Sequence, residues 1–283
     1  REGAPGGNVV AHGNSPLYWQ SNSSGTYYAH WTYNSSCSSP SGCRVTTCQY
    51  INSGAALVGP KTYVPDDDFE IFLETHDSLG NSVNFGDPTS MGDGSFNDSV
   101  LTSNINFVDS LVISGNAINI TDLTGIEDFL MLEYFKINNQ SNSLTTLDFS
   151  SNIYLDNLYL ATPSLNSLNI NSNINLTYIN MPISQLTSID LSNNVSLNDL
   201  NISQSPIQSL DLSSNVGLIN CGLYLSQLDS INLNNCNNLI NLGITGTQLT
   251  SLDLSNKPNL TDVNIDFNYN LSNINLIGST NLI

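Results

Sequence analysis

Three sets of side chains have the types and spacing to do chemistry. The first is a row of acids, Asp148, Asp190, Asp211 and Asp253, with Asn169 and Asn232 in step between them. If the chain period stacks them, Asp190 and Asp211 would form an acid/base pair or share a calcium ion; the alternative is a solvated polar stripe facing away from a core. The second is the loop DPTSMGDGSFND, where Asp87, Asp93, Asn97 and Asp98 place several side-chain oxygens in one Gly-rich stretch. That is a calcium candidate, although it lacks the spacing and closing Glu of an EF-hand. The third is aromatic: Trp19, Tyr28 and Trp31, with Tyr18, Tyr27 and Tyr33 beside them. Their flat apolar faces would stack on sugar rings or on a partner protein, or would fill the core of a small β element.

Catalysis finds little to work with. The chain has three histidines, His12, His30 and His76, and all precede the regular part, so a Ser/His/Asp or Cys/His set would have to be built outside it. No HExxH, GxSxG, P-loop or GxGxxG context occurs. No enzyme activity and no cofactor other than the calcium candidate are expected. Cys37, Cys43 and Cys48 crowd a Ser/Gly-rich stretch and are disulfide candidates in an oxidising compartment. Their spacing, without a neighbouring His, fits zinc poorly. Cys221 sits on an apolar position and reads as a small buried hydrophobe.

The elements that must position these groups are written in a repeat. The triplet L-x-x-L/I-x-L/I starts at Leu144, Leu155, Leu165, Leu176, Leu186, Leu197, Ile207, Leu218, Leu228, Leu239, Leu249, Leu260 and Leu271. Steps alternate between 176 − 165 = 11 and 186 − 176 = 10, so the unit is 21 residues in two near-identical halves. Halves this short leave no room for a return helix. The spacing therefore predicts a predominantly β solenoid, a flattened tube in which each coil carries two short parallel strands and buries its apolar edge only against its neighbours. One turn position reads Asn152, Asn173, Asn194, Asn215, then Cys236 and Lys257. A buried Asn there can satisfy backbone groups that the tight turn leaves unpaired, forming a structural ladder.

Upstream, VPDDDFEIFLETHDSLG changes the period. Asp66 or Asp67 can cap a short helix whose Phe69, Phe72, Leu73 and His76 share one face, suited to covering the first coil as a cap. The stretch TYYAHWTY alternates with period two and predicts strand. Three segments result: residues 1–62, aromatic and Cys-containing β or irregular; 63–107, a helical cap and loop; and 108–283, the solenoid, read as open at its C-terminal end.

Across 283 residues, 24 acidic against 5 basic side chains give a formal charge of −19. Such a balance repels phosphate backbones and anionic lipid, so nucleic acid is excluded as a partner. No run of 18 apolar residues occurs, so membrane insertion is not expected.

DLTGIEDF at Asp122 to Phe129, the repeated LTSIDLSNN form and VPDDDFE before the array resemble leucine-rich-repeat proteins. The likeness is to the secreted and cell-surface type found in Bacteroidota and, more loosely, to the internalins; it runs from about Tyr63 to the C-terminus. The resemblance implies an extracellular or cell-surface location, export by a signal no longer present, and work through binding rather than catalysis. Asp-Ser-aliphatic triads resemble the O-glycosylation signal of the same bacterial group at Ser78, Ser99, Ser110 and Ser230. The expected function is protein–protein interaction, adhesion or self-assembly, with a protein or copies of the chain itself as partner, plausibly head-to-tail into a surface filament. The alternatives are a surface-glycan module using the N-terminal aromatics, or the fragment of a longer surface adhesin.

Overall fold

The computed structural model describes residues 8–11, 17–20, 26–29, 59–114, 119–138, 143–224 and 227–282. It divides into two units, Arg1–Pro60 and Lys61–Ile283. In the first, Asn8–Ala11, Leu17–Gln20 and Thr26–Ala29 form a three-stranded antiparallel sheet in which Trp19 is register partner to Tyr27 and Tyr18 to Tyr28. The period-two stretch thus supplies its third strand. Trp31 and the disulfide candidates Cys37, Cys43 and Cys48 lie outside the described residues.

The second unit opens with a cap. Lys61–Tyr63 pairs antiparallel with Ser99–Leu101, and Asp67–Glu74 forms the helix. Asp66 caps it: Oδ1 accepts the Phe69 amide at 2.9 Å, the arrangement that satisfies an otherwise orphan first-turn N–H. Its other oxygen accepts the backbone amides of Thr121 and Asp122 at 2.8 and 3.1 Å. One carboxylate therefore both starts the helix and ties it to the first coil. Phe69, Phe72 and Leu73 are buried on that coil, while the His76 ring, just past the helix, stacks on Phe72 at 4.1 Å. In the DLTGIEDF motif only glycine fits at Gly125: its φ is +104°, and a Cβ there would lie 2.9 Å from the Tyr63 carbonyl oxygen.

The long wall of the solenoid is one parallel sheet of eight strands: Ser110–Ser114, Tyr134–Asn138, Asn157–Ala161, Tyr178–Ile183, Asp199–Ser203, Asn220–Tyr224, Asn241–Thr245 and Asp262–Asn264. Inward residues continue from strand to strand in register, Leu158 to Ile179 to Leu200 to Cys221 to Leu242 to Val263. Each fully buried Leu or Ile adds about 1.5–3 kcal/mol of hydrophobic stabilisation. Pro182, which has no N–H to give a ladder, coincides with a slip: Asn180 pairs with Tyr159, a step of 21, but Ile183 pairs with Ala161, a step of 22.

The opposite wall departs from the expected second continuous sheet. Three-residue strands pair only two by two: Thr146–Asp148 with Ser167–Asn169, Ser209–Asp211 with Ser230–Asn232, and Ser251–Asp253 with Asn273–Asn275. The run Leu186–Leu191 forms no strand, and it belongs to the coil that carries the Pro182 slip. Strands of three residues offer few ladder bonds, so a small displacement between coils interrupts the pairing.

Between the walls runs a line of buried asparagines. Asn173 Nδ2 donates to the Phe149 carbonyl at 3.0 Å and to the Asn152 carbonyl at 2.6 Å. Asn194 donates to Ile170 and Asn173 at 3.0 and 2.9 Å, and Asn215 to Leu191 and Asn194 at the same distances. Asn152 donates to Ile126 and Phe129 of the cap-proximal turn. At the next position Cys236 keeps half the pattern, its Sγ 3.2 Å from the Leu212 carbonyl. Cys221 and Cys236 are buried free thiols, and burial pushes the Cys221 thiol up to about 12.

Candidate binding groove

The acid row lies on the short-strand wall, where each carboxylate is engaged by its own turn. Oδ1 of Asp148, Asp190, Asp211 and Asp253 accepts the backbone amide two residues on, Ser150, Ser192, Ser213 and Ser255, at 2.8 to 2.9 Å. Asn169 and Asn232 add amide donors to Asp148 and Asp211, both at 3.0 Å. Hydrogen bonds from the Ser192 and Ser213 side chains, then their amides, hold Asp190 and Asp211 below the usual carboxylate range. At Asp148 burial pulls upward but the bonds from Ser150 and Asn169 prevail, and at Asp253 the Ser255 amide is the main cause. A proton shuttle needs a carboxylate that titrates near working pH; these are pushed the other way.

These depressed values have a pH consequence. A group whose folded pKa lies below its unfolded value, ordinarily about 3.8, stabilises the fold above that value and loses the contribution as pH falls through the folded pKa. Asparagine keeps the accepting Oδ1 but does not titrate, as Asn232 shows by capping the Asn234 amide at 3.0 Å. The quadruple change to Asn at 148, 190, 211 and 253 should therefore stay folded at neutral pH and melt with a shallower acid slope as pH falls below about 5. Parallel melting curves for parent and variant would refute this role.

The calcium candidates have partners within the chain, and Asp93 and Asn97 lie 3.5 Å apart. Asp87 accepts the amide and hydroxyl of Thr89 at 2.9 and 2.7 Å. Asp93 pairs with Lys61 at 2.6 Å, and Asn97 lies against Lys61 and Ser99. Asp98, at φ +56°, gives its carbonyl to the Val64 amide at 2.9 Å. Two buried helix glutamates shape the loop instead. Glu74 accepts the amides of Asp93 and Gly94 at 2.5 and 2.9 Å, and Glu70 those of Asn97 and Ser99 at 2.9 and 3.0 Å. The loop thus turns these N–H groups toward the helix. Among the described residues no group of three or more His, Cys, Asp or Glu side chains is placed to hold a metal ion. His76 Nε2 sits 3.3 Å from the Ser82 hydroxyl, but its Nδ1 faces the Phe72 carbonyl at 2.9 Å rather than a carboxylate.

Sequence patterning missed a recess on the outer face of the eight-stranded sheet. Its volume is about 440 Å³, and its lining includes Tyr178, Asn201, Gly222, Tyr224, Gly243 and Asn264. Asn201, Gly222, Gly243 and Asn264 are register partners along one outward row. The two glycines open it, and the Tyr224 ring lies down across them. A Cβ on Gly222 would come within 2.9 Å of Tyr224 Cε2, and one on Gly243 within 2.8 Å of its Cζ. A neighbouring row, Asp199, Asn220, Asn241 and Asp262, forms the rim. Asn241 Nδ2 donates to Asn220 Oδ1 at 2.6 Å, and Asn220 in turn to Asp199. The readable signal was glycine recurring at one repeat position with a tyrosine two residues after the first.

No family model matches the sequence, and no curated protein matches it. Among solved structures, the functional domain of InlJ from Listeria monocytogenes is similar at 19% identity over 79% of this chain and 65% of that one, with a TM-score of 0.29. The chain therefore spans about two thirds of that domain. The internalin InlF from the same organism is 20% identical over 76% of each chain, TM-score 0.36. A leucine-rich-repeat protein from Leptospira interrogans is 16% identical over 54% of this chain and 56% of that one, TM-score 0.35. Such values superpose poorly, and the architecture rests on the coils themselves: a step of 21 residues, leucine triplets turned inward, a continuous parallel wall and an asparagine ladder make this chain a leucine-rich-repeat solenoid.

Proposed function

We propose that this chain is a non-enzymatic interaction protein of the extracellular space or cell surface, and that it holds its partner in the groove on the outer face of the long sheet. One observation carries the reading: a solenoid wall that is otherwise filled side chain by side chain opens, at Gly222 and Gly243, into a recess of about 440 Å³ lined by amides, phenols and carboxylates. Concave sites with a few converging polar groups are the common form of ligand sites, and solenoids work through such extended faces. No nucleophile with an adjacent base lines this recess. Among the described residues no helix is long and apolar enough to cross a membrane.

The test is to place the chain over immobilised extracellular probes, both purified matrix proteins and a glycan array, and to compare two variants. Asn201→Arg fills the groove; Ser209→Arg alters the opposite wall. Loss of binding in the first with retention in the second is expected, and the reverse pattern overturns the proposal.

A further inference from the structure

We infer that the groove is a subsite for a neutral oligosaccharide, with the Tyr224 ring as its floor; this rests on the groove being the binding surface and names the chemical class of its occupant. The first ground is the ring itself. Tyr224 is 38% exposed, yet it does not project as a surface tyrosine would. Its ring lies down across Gly222 and Gly243 where any side chain would displace it. An aromatic ring held over two glycines in a polar recess suits the C–H face of a pyranose, which is apolar on its faces and polar around its rim.

The second ground is the rim. Asn201, Asn220, Asn241 and Asn264 present amides, each carrying two donors and an acceptor, flanked by the Tyr178 phenol and the carboxylates Asp199 and Asp262. Sugar hydroxyls both donate and accept, so they can use the bonding capacity left on a mixed rim in which Asn241, Asn220 and Asp199 are already linked to one another. No Lys or Arg lines the recess. Phosphate, sulfate, sialic acid and uronic acid would meet two carboxylates and no cation, in a chain of formal charge −19.

The third ground is spacing. Adjacent strands lie about 4.8 Å apart, close to the length of one pyranose ring in an extended chain. The row Asn201, Gly222, Gly243, Asn264 crosses four strands, or three such spacings, enough for two to three sugar units in step with the coils.

The full chain is applied to a glycan array carrying neutral hexose, pentose and N-acetylhexosamine oligosaccharides beside sialylated, uronic-acid and sulfated ones. The best neutral trisaccharide or tetrasaccharide is then titrated calorimetrically. Neutral glycans should bind, and Tyr224→Ala should weaken the titrated one about tenfold, the equivalent of about 1.4 kcal/mol. Tyr224→Phe, which keeps the face, should stay near the parent, and Gly243→Val, which displaces the ring, should fall with Tyr224→Ala. Circular dichroism melts of the three variants confirm that each is folded. Binding confined to anionic glycans, or undiminished by Tyr224→Ala, overturns the inference. If Asn201→Arg abolishes retention on a protein probe while no neutral glycan binds, the saccharide inference falls and the groove reading stands. If saccharides bind equally to Asn201→Arg and Tyr224→Ala, both fall.

Discussion

Leu210→Asp is expected to unfold the solenoid. Leu210 is 4% exposed and is register partner to Ile231 in the next coil, so an aspartate there sets a charge against stacked apolar edges. A buried unpaired charge is among the few changes that cost more than about 4 kcal/mol. In a solenoid each coil touches only its neighbours, so the damage does not stay at one site: the array is divided into two shorter pieces that must each stand alone. Circular dichroism melting measures it directly. The exposed neighbour Ser209→Asp should leave the melting temperature nearly unchanged, and a Leu210→Asp protein melting within a degree or two of its parent would show that the inward and outward phases had been interchanged.

Asn194→Asp should be almost as severe, although it changes no volume. Asn194 is fully buried, and both its bonds run from Nδ2 to carbonyls, Ile170 at 3.0 Å and Asn173 at 2.9 Å. A carboxylate reverses the polarity at that point and faces two acceptors with a negative charge. Asn194→Leu removes the same two donors without adding charge. Each carbonyl keeps one backbone partner, the amides of Asn173 and Leu176, so that loss should amount to about 2 kcal/mol at roughly 1 kcal/mol per bond. The aspartate variant should exceed it at neutral pH and recover part of the difference in acid, where the introduced carboxyl takes up a proton. Equal urea midpoints for the two variants at pH 7 would mean that the ladder is not sealed from water.

Much of this architecture was legible because its determinants are periodic. Leucines 10 and 11 apart announce strands that stack, since no helix fits the interval, and the 21-residue asparagine recurrence marks a turn that needs donors. The Asp66 cap was readable because its acid run precedes an apolar face of helical spacing. Other features were hidden because they depend on what stands across from a residue rather than along the chain. The interruption of the short-strand wall at Leu186–Leu191 falls in the same coil as the slip beside Pro182 on the other wall. The groove arises at positions that the repeat treats as free, where glycine in two successive coils is visible but the fall of the Tyr224 ring over them is not. The acids of the short-strand wall were conspicuous by type, yet one oxygen of each is taken by its own turn, a use that residue spacing alone does not separate from chemistry.

The unequal walls have a mechanical consequence. One wall is an unbroken ladder of eight strands; the other is three separate pairs. Tension along the axis would load the continuous wall uniformly, in the direction of its interstrand bonds, while the opposite wall would part at the breaks on either side of the Ser209 and Ser230 strands. The tube is therefore stiff along one side and jointed along the other. Bending moments should open it at those joints, flexing the coils about the long wall as a hinge plate and changing the width of the Tyr224 groove with the load the molecule bears.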